Sequence, residues 1–233
     1  TLDQLSEQLS PCQADKEWLN AWSDTESKAE TWLNSWLEGC DPSFEGCIAY
    51  ALSKYLTQTS QVCLANSMSV RYAELFWQKN DTQTGMFCNR GTNGIDGTLS
   101  TALGIAESGK PTVLLTGDLA FLHDSNALLN SAIHNLDLTI LLVNNQGGGI
   151  FEHLAIASDP NFERYFATPQ TVNYASLCAA LSVHYQKLNS LQDLDKALKS
   201  IVGGGIRVFE IITDRKKDAE TLRAIHNAYR QHA

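Results

Sequence analysis

The sequence predicts an α/β domain built on a doubly wound, mostly parallel six-stranded sheet with helices on both faces. Three observations predict it. Short β-type runs alternate with stretches of helical pattern, roughly 10–20 residues long, as strands joined by crossover helices do. Two central runs, Val113–Thr116 and Leu138–Val143, are apolar on both faces, which suits strands covered by helices on each side. The chain has 233 residues, 43% of them hydrophobic, enough to bury one core of this kind.

Residues 1–25 are polar without a sustained period and read as a linker, followed by a helix over about 26–38. Together, residues 1–40 form a linker and N-terminal helical extension. Four of the five tryptophans fall in this part as i,i+4 pairs, Trp18/Trp22 and Trp32/Trp36, each able to share a helix face. They pack on the chain's own body or meet a domain or subunit outside it. Asp41-Pro42 reads as an N-cap with proline at the first helical position. Phe44, Cys47, Ile48, Ala51, Leu52 and Tyr55 then keep the spacing of one buried helix face.

From there strands are expected at Val62–Ala65, Met86–Cys88, Val113–Thr116, Leu138–Val143, Val183–Gln186 and Val208–Ile212. Helices are expected between them, at Ser69–Gln78, Ile95–Glu107 and Asn126–Asn135. Gly203-Gly204-Gly205 stops a helix before the last strand. Asp214 caps a final helix with Leu222, Ile225 and Tyr229 on one face. Residues 41–233 therefore read as one domain.

The net charge of −9, from 17 basic and 26 acidic residues, argues against nucleic acid or an anionic membrane as a partner. The apolar run Ile140–Val143 is far too short to span a bilayer, and no charged-then-apolar opening marks a secretory signal. The six cysteines, Cys12, Cys40, Cys47, Cys63, Cys88 and Cys178, include no Cys-x-x-Cys pair. They read as free thiols of a reducing cytoplasm.

In a doubly wound sheet, ligands bind outside the carboxyl ends of the strands. Three strand ends are unusual here. At Gly117-Asp118-Leu119, a residue without a side chain lets the backbone approach a ligand, and a carboxylate follows it. Such a carboxylate either caps a helix or holds a divalent cation that a phosphate shares. Asn144-Asn145-Gln146-Gly147-Gly148-Gly149 ends a buried strand in amides and glycines. These supply either turn geometry or the oxygen-only donors that Mg²⁺ takes. Residues 120–143 separate the two, one helix plus one strand, so both reach the same sheet edge. The third end is Cys88-Asn89-Arg90-Gly91-Thr92-Asn93-Gly94-Ile95-Asp96-Gly97.

Gly-Asp followed at this separation by Asn-Asn resembles the diphosphate-binding motif of thiamine-diphosphate enzymes, with Leu119 standing where the motif usually has a second glycine. The Asn-Arg-Gly-x-x-Gly-Ile-Asp-Gly segment narrows the likeness, as do Asn66-Ser67-Met68-Ser69-Val70-Arg71 and Asn144–Phe151. They resemble the 2-succinyl-5-enolpyruvyl-6-hydroxy-3-cyclohexene-1-carboxylate synthases of menaquinone and phylloquinone biosynthesis. The likeness runs from about residue 45 to the C-terminus and covers only that family's C-terminal, pyrophosphate-binding domain.

The resemblance implies a thiamine-diphosphate-binding fold and a transferase that decarboxylates 2-oxoglutarate and adds the product to isochorismate. It implies thiamine diphosphate and Mg²⁺, or Mn²⁺, as cofactors. Asp118 and Asn145 would give side-chain oxygens to the metal, and Gly147 its main-chain carbonyl. Gly117, Leu119 and Ile95 would also meet the cofactor, Ile95 as the apolar buttress that bends it. Ser67, Arg71, Arg90, Ile150 and Phe151 would face the substrates. Two guanidiniums suit two carboxylate substrates in a chain this acidic. His123 and His153 are given no role.

The activating glutamate would come from the N-terminal pyrimidine-binding domain of a partner subunit in a homo-oligomer. Nothing in these residues matches that domain, so the chain alone is expected to be inactive. Competing readings are another thiamine-diphosphate decarboxylase or acetolactate-synthase relative, or a non-catalytic diphosphate-binding module.

Overall fold

The computed structural model describes residues 15–39, 43–56, 60–79, 84–132, 136–199 and 204–232. The chain divides into two compact units, residues 1–39 with 226–233, and residues 40–225.

In the smaller unit, helix α1 spans Lys16–Glu38. It starts well before the expected position because Asp15 caps it, its carboxylate accepting from the N–H groups of Glu17 and Trp18 at 3.0 and 3.1 Å. The Trp32 ring packs on Tyr229 with centroids 5.4 Å apart, whereas Trp18 and Trp22 pack on each other and stay about 60% exposed.

The larger unit holds the sheet: β1 Gln61–Leu64, β2 Gly85–Cys88, β3 Thr112–Gly117, β4 Asp137–Asn144, β5 His184–Leu188 and β6 Gly205–Ile212. Their order is β2-β1-β3-β4-β6-β5, and every neighbouring pair is parallel. The expected α/β architecture is the one observed. Leu114, Ile140, Leu142 and Val208 join Leu99, Ala102 and Leu103 in one buried cluster. Val113, Leu115, Leu141 and Val143, buried too, face the other side by strand alternation.

Helices α3 (Met68–Phe76) and α4 (Thr98–Ala106) lie against β1 and β3, and α2 (Glu45–Tyr55) packs on α3. Asp41-Pro42 lies outside the described residues, and α2 begins after Phe44 with no side-chain cap. The start of α4 is three residues later than the pattern suggests, because Gly97 adopts φ +65 and ends the preceding turn. After β3 comes α5, Asp118–His123, and then a 3₁₀ segment, Ser125–Ala132, where an α-helix over 126–135 is expected. Helices α6 (Tyr174–Ala180), α7 (Leu191–Lys199) and α8 (Arg215–His232) complete the described α-helices. Asp214 caps α8 as expected, accepting from Lys216 and Lys217 N–H. Among the described residues no helix is long and apolar enough to cross a membrane.

The thiol expectation needs one correction. Cys63, Cys88 and Cys178 are free, but Cys47 is disulfide-bonded.

Candidate functional site

From β1 the chain crosses to β2 on one side and then to β3 on the other. Reversal of direction between β1 and β3 parts the loops at their carboxyl ends and opens a crevice there. A cleft of about 390 Å³ lies at this point, walled by the ends of β1, β3 and β4 and by the start of α2.

Asp118, first residue of α5, is 2% exposed. One carboxylate oxygen accepts from its neighbour Leu119 N–H at 2.8 Å, and the other from Gly147 N–H at 2.9 Å. Burial pushes its carboxyl up to about 6, against the pull of the Leu119, Gly147, Gln146 and Asp118 N–H groups. Glu45, at the start of α2, is 3% exposed and also lines the cleft. Burial pushes it up to about 8, with the Asp218 and Asp118 charges adding and the Asn145 amide opposing. Buried carboxyls crowded in this way favour a bound cation.

Asn145 completes the corner. Its Nδ2 donates to Glu45 Oε2 at 3.4 Å, while its buried Oδ1 has no hydrogen-bond partner among the described residues. A buried acceptor without a donor is costly and asks for a ligand. Among the described residues no three His, Cys, Asp or Glu side chains cluster as a metal site. A cation placed here could draw instead on a carboxylate, an amide oxygen and backbone oxygen, the donor set that hard cations prefer.

The turn after β4 is shaped by backbone conformations that few residues tolerate. Gln146 has φ +60 and Gly147 φ +133. A Cβ on Gly147 would lie 2.2 Å from the Ala167 carbonyl oxygen. Asn144 braces the turn, its Oδ1 accepting from Gln146 N–H at 3.3 Å and its Nδ2 donating to buried Glu210 at 2.6 Å. Arg215 holds it from outside, donating to the Gln146 carbonyl at 3.2 Å and pairing with Glu152 at 2.9 Å and with Glu163.

The cleft wall brings together ten residues singled out from the sequence: Ser67, Arg71, Ile95, Gly117, Asp118, Leu119, Asn145, Gly147, Ile150 and Phe151. Ser67 adopts φ +65, a strained conformation of the kind stored at functional sites. Arg71 donates to the Ser67 carbonyl at 2.6 Å, which leaves other donors of its fork for a ligand. Arg90 does not line the cleft. Its guanidinium donates to Asn66 Oδ1 at 2.7 Å, and Asn66 Nδ2 in turn donates to the Asn89 and Gly94 carbonyls at 3.0 and 2.6 Å. Asn66, 3% exposed, thus knots the ends of β1 and β2 together.

Sequence reasoning missed Glu45 and Asn93 on this wall and the knot at Asn66. Asn66 and Asn93 stood inside quoted motifs. Glu45 had no signal, since acidic residues are ordinary at helix starts.

Residues 66–211 match the family described as "Thiamine pyrophosphate enzyme, C-terminal TPP binding domain". The chain belongs to this family. Among its curated relatives, a 2-succinyl-5-enolpyruvyl-6-hydroxy-3-cyclohexene-1-carboxylate synthase of Gloeothece citriformis is 50% identical over 207 residues. The match covers 88% of this chain and 36% of the relative. A synthase of the same name from Crocosphaera subtropica is 42% identical over 219 residues, covering 94% and 37%. This chain therefore spans just over a third of the length of these relatives. Among solved structures, benzoylformate decarboxylase from Polynucleobacter necessarius superposes with a TM-score of 0.60 at 17% identity, over 73% of this chain and 33% of that one. That likeness supports the fold of a thiamine pyrophosphate enzyme domain and nothing finer.

Proposed function

We propose that the chain is the C-terminal, diphosphate-binding part of a 2-succinyl-5-enolpyruvyl-6-hydroxy-3-cyclohexene-1-carboxylate synthase. Such an enzyme decarboxylates 2-oxoglutarate and joins the remaining four-carbon unit to isochorismate. The observation that carries this reading is the 50% identity to a relative of that name across nearly all of this chain. In this reading residues 41–233 form the pyrophosphate-binding domain and residues 1–40 an extension. A cytoplasmic location goes with it, as the free thiols of Cys63, Cys88 and Cys178 suit, although Cys47 is bridged.

Asp118, Asn145 and the Gly147 carbonyl would hold Mg²⁺, or Mn²⁺, against the diphosphate of thiamine diphosphate. The lone Asn145 oxygen and the buried Asp118 carboxyl support that role. When bound, the cofactor supplies an electron sink for the bond to the departing CO₂. Gly117 and Leu119 would let the cofactor lie close to the end of β3, and Ile95 would buttress it. Ile150 and Phe151 would line the pocket and keep water out. Ser67, Arg71 and Arg90 would meet the substrates, with Arg71 in the cleft wall and Arg90 acting from its tie to Asn66. The remaining half of the site would come from the N-terminal pyrimidine-binding domain of a partner subunit, with its activating glutamate.

Arg71→Ala and Arg90→Ala, made in the assembled enzyme, should each raise the KM for a carboxylate substrate much more than they weaken cofactor binding. One charge-assisted hydrogen bond is worth roughly 1.5–3 kcal/mol, or about 10- to 150-fold. Steady-state kinetics beside cofactor titration reads the split, and equal losses in both would remove that arginine from the substrate side.

Complementation tests the function as a whole. The purified chain is assayed with isochorismate, 2-oxoglutarate, Mg²⁺ and thiamine diphosphate, alone and mixed with the N-terminal part of a cyanobacterial synthase. Turnover is expected only in the mixture. Turnover by the chain alone would contradict the half-site reading, and inactivity of the mixture would contradict the synthase reading.

A further inference from the structure

An amide side chain looks alike from either end, so an asparagine that offers its oxygen to a ligand needs something to decide which end points inward. At Asn145 one neighbour decides it and a second leaves the amide just enough room. Glu45 Oε2 lies 3.4 Å from Nδ2, and the oxygen of an ionised carboxylate, the form a cation in the cleft favours, can only accept. Gly149 approaches the same nitrogen so closely that a Cβ there would stand 2.9 Å from it.

Glu45 itself has little freedom to withdraw. Its N–H donates to Asp218 Oδ1 at 3.0 Å. The preceding Phe44 ring is packed edge-on against Tyr72 and Phe76. The carboxyl is therefore delivered to the cleft from α2, about a hundred residues away in sequence from the amide it meets. The other end of that amide, Oδ1, is the buried oxygen left without a donor.

We propose that Glu45 and Gly149 are positioning residues that fix the Asn145 amide with its nitrogen held back and its oxygen presented to a divalent cation. This rests on the reading of Asp118 and Asn145 as the cation site. Groups of this kind, one step removed from a metal, commonly change metal affinity about 10- to 100-fold when lost.

The test uses the 233-residue chain with thiamine diphosphate present and Mn²⁺ as the probe, free Mn²⁺ being read by its electron paramagnetic resonance signal. Metal-free melting temperatures are taken in parallel. Glu45→Met keeps the bulk and removes the acceptor, and Gly149→Ala pushes on the amide from the other side. Both should weaken Mn²⁺ binding about 10- to 100-fold. Glu45→Gln, which can still turn an oxygen to Nδ2, should stay within about threefold of the parent. Glu45→Met and Gly149→Ala binding Mn²⁺ like the parent would overturn the proposal. So would Glu45→Gln falling as far as Glu45→Met, because Glu45 would then act through its charge. Asp118→Ala separates the two levels of the argument. If the parent binds Mn²⁺ no better than Asp118→Ala, the cation site is wrong and the positioning role falls with it. If Asp118→Ala alone loses the metal, only the positioning role fails.

Discussion

Asp118→Ala in the assembled enzyme should abolish both Mg²⁺-dependent retention of thiamine diphosphate and turnover. The substitution removes the one carboxylate proposed as a direct ligand, so the loss should exceed the roughly 100-fold that indirect groups can cost. It also leaves the N–H groups of Leu119 and Gly147 without their acceptor. Each orphaned buried N–H costs about 1–3 kcal/mol. Asp118→Asn separates the two effects, because its amide oxygen can still accept from one of these donors. It should fold nearly as the parent does and still lose the cofactor on desalting. Retention of thiamine diphosphate by both variants in Mg²⁺ would remove Asp118 from the metal.

Gly147→Ala should be the most damaging exchange of one small residue for another. The φ of +133 is one that L side chains rarely adopt, and the new Cβ would fall 2.2 Å from the Ala167 oxygen and 3.0 Å from its carbon. The carbonyl cannot easily give way, because Gly148 N–H donates to it at 2.8 Å. A loss of about 2–4 kcal/mol is expected, which lowers Tm by roughly 5–15 °C for a unit of this size. Gly104→Ala is the control. A Cβ there meets nothing within 4 Å and sits inside α4, where alanine favours the helix by about 0.5–1 kcal/mol. A thermal melt in which Gly147→Ala unfolds with the parent would show that the turn is looser than its geometry implies.

What could be read from the sequence followed burial. Strands β3 and β4 announce themselves because both of their faces are covered, so apolar residues run unbroken through Leu114 and Leu115 and through Ile140–Val143. Strand β2 is an edge strand whose Met86 and Phe87 are 47% and 40% exposed, and only its place in the alternation marked it. The stretch from Gly149 to Ala167 carried no secondary-structure expectation, and it folds as two 3₁₀ turns and a π turn. Arg215, more than fifty residues on, ties it down by pairing with Glu152 and Glu163. Long-range ties of that sort leave no period in a sequence. The same holds within the site. Gly117-Asp118 and Asn144–Gly149 were legible because each sits at the end of a buried strand with residues that need a reason. Glu45 was not, because its partner Asn145 is brought to it only by the fold.

The central claim is that the crevice between β1 and β3 is a metal-dependent diphosphate site. Calorimetric titration of thiamine diphosphate into the purified chain, once in Mg²⁺ and once in excess chelator, tests it most directly. The account predicts weak but saturable heat in Mg²⁺ that disappears in chelator, since Asp118 and the Asn145 oxygen reach the diphosphate only through the cation. Binding of equal strength in chelator, or no binding at any Mg²⁺ concentration, would contradict it.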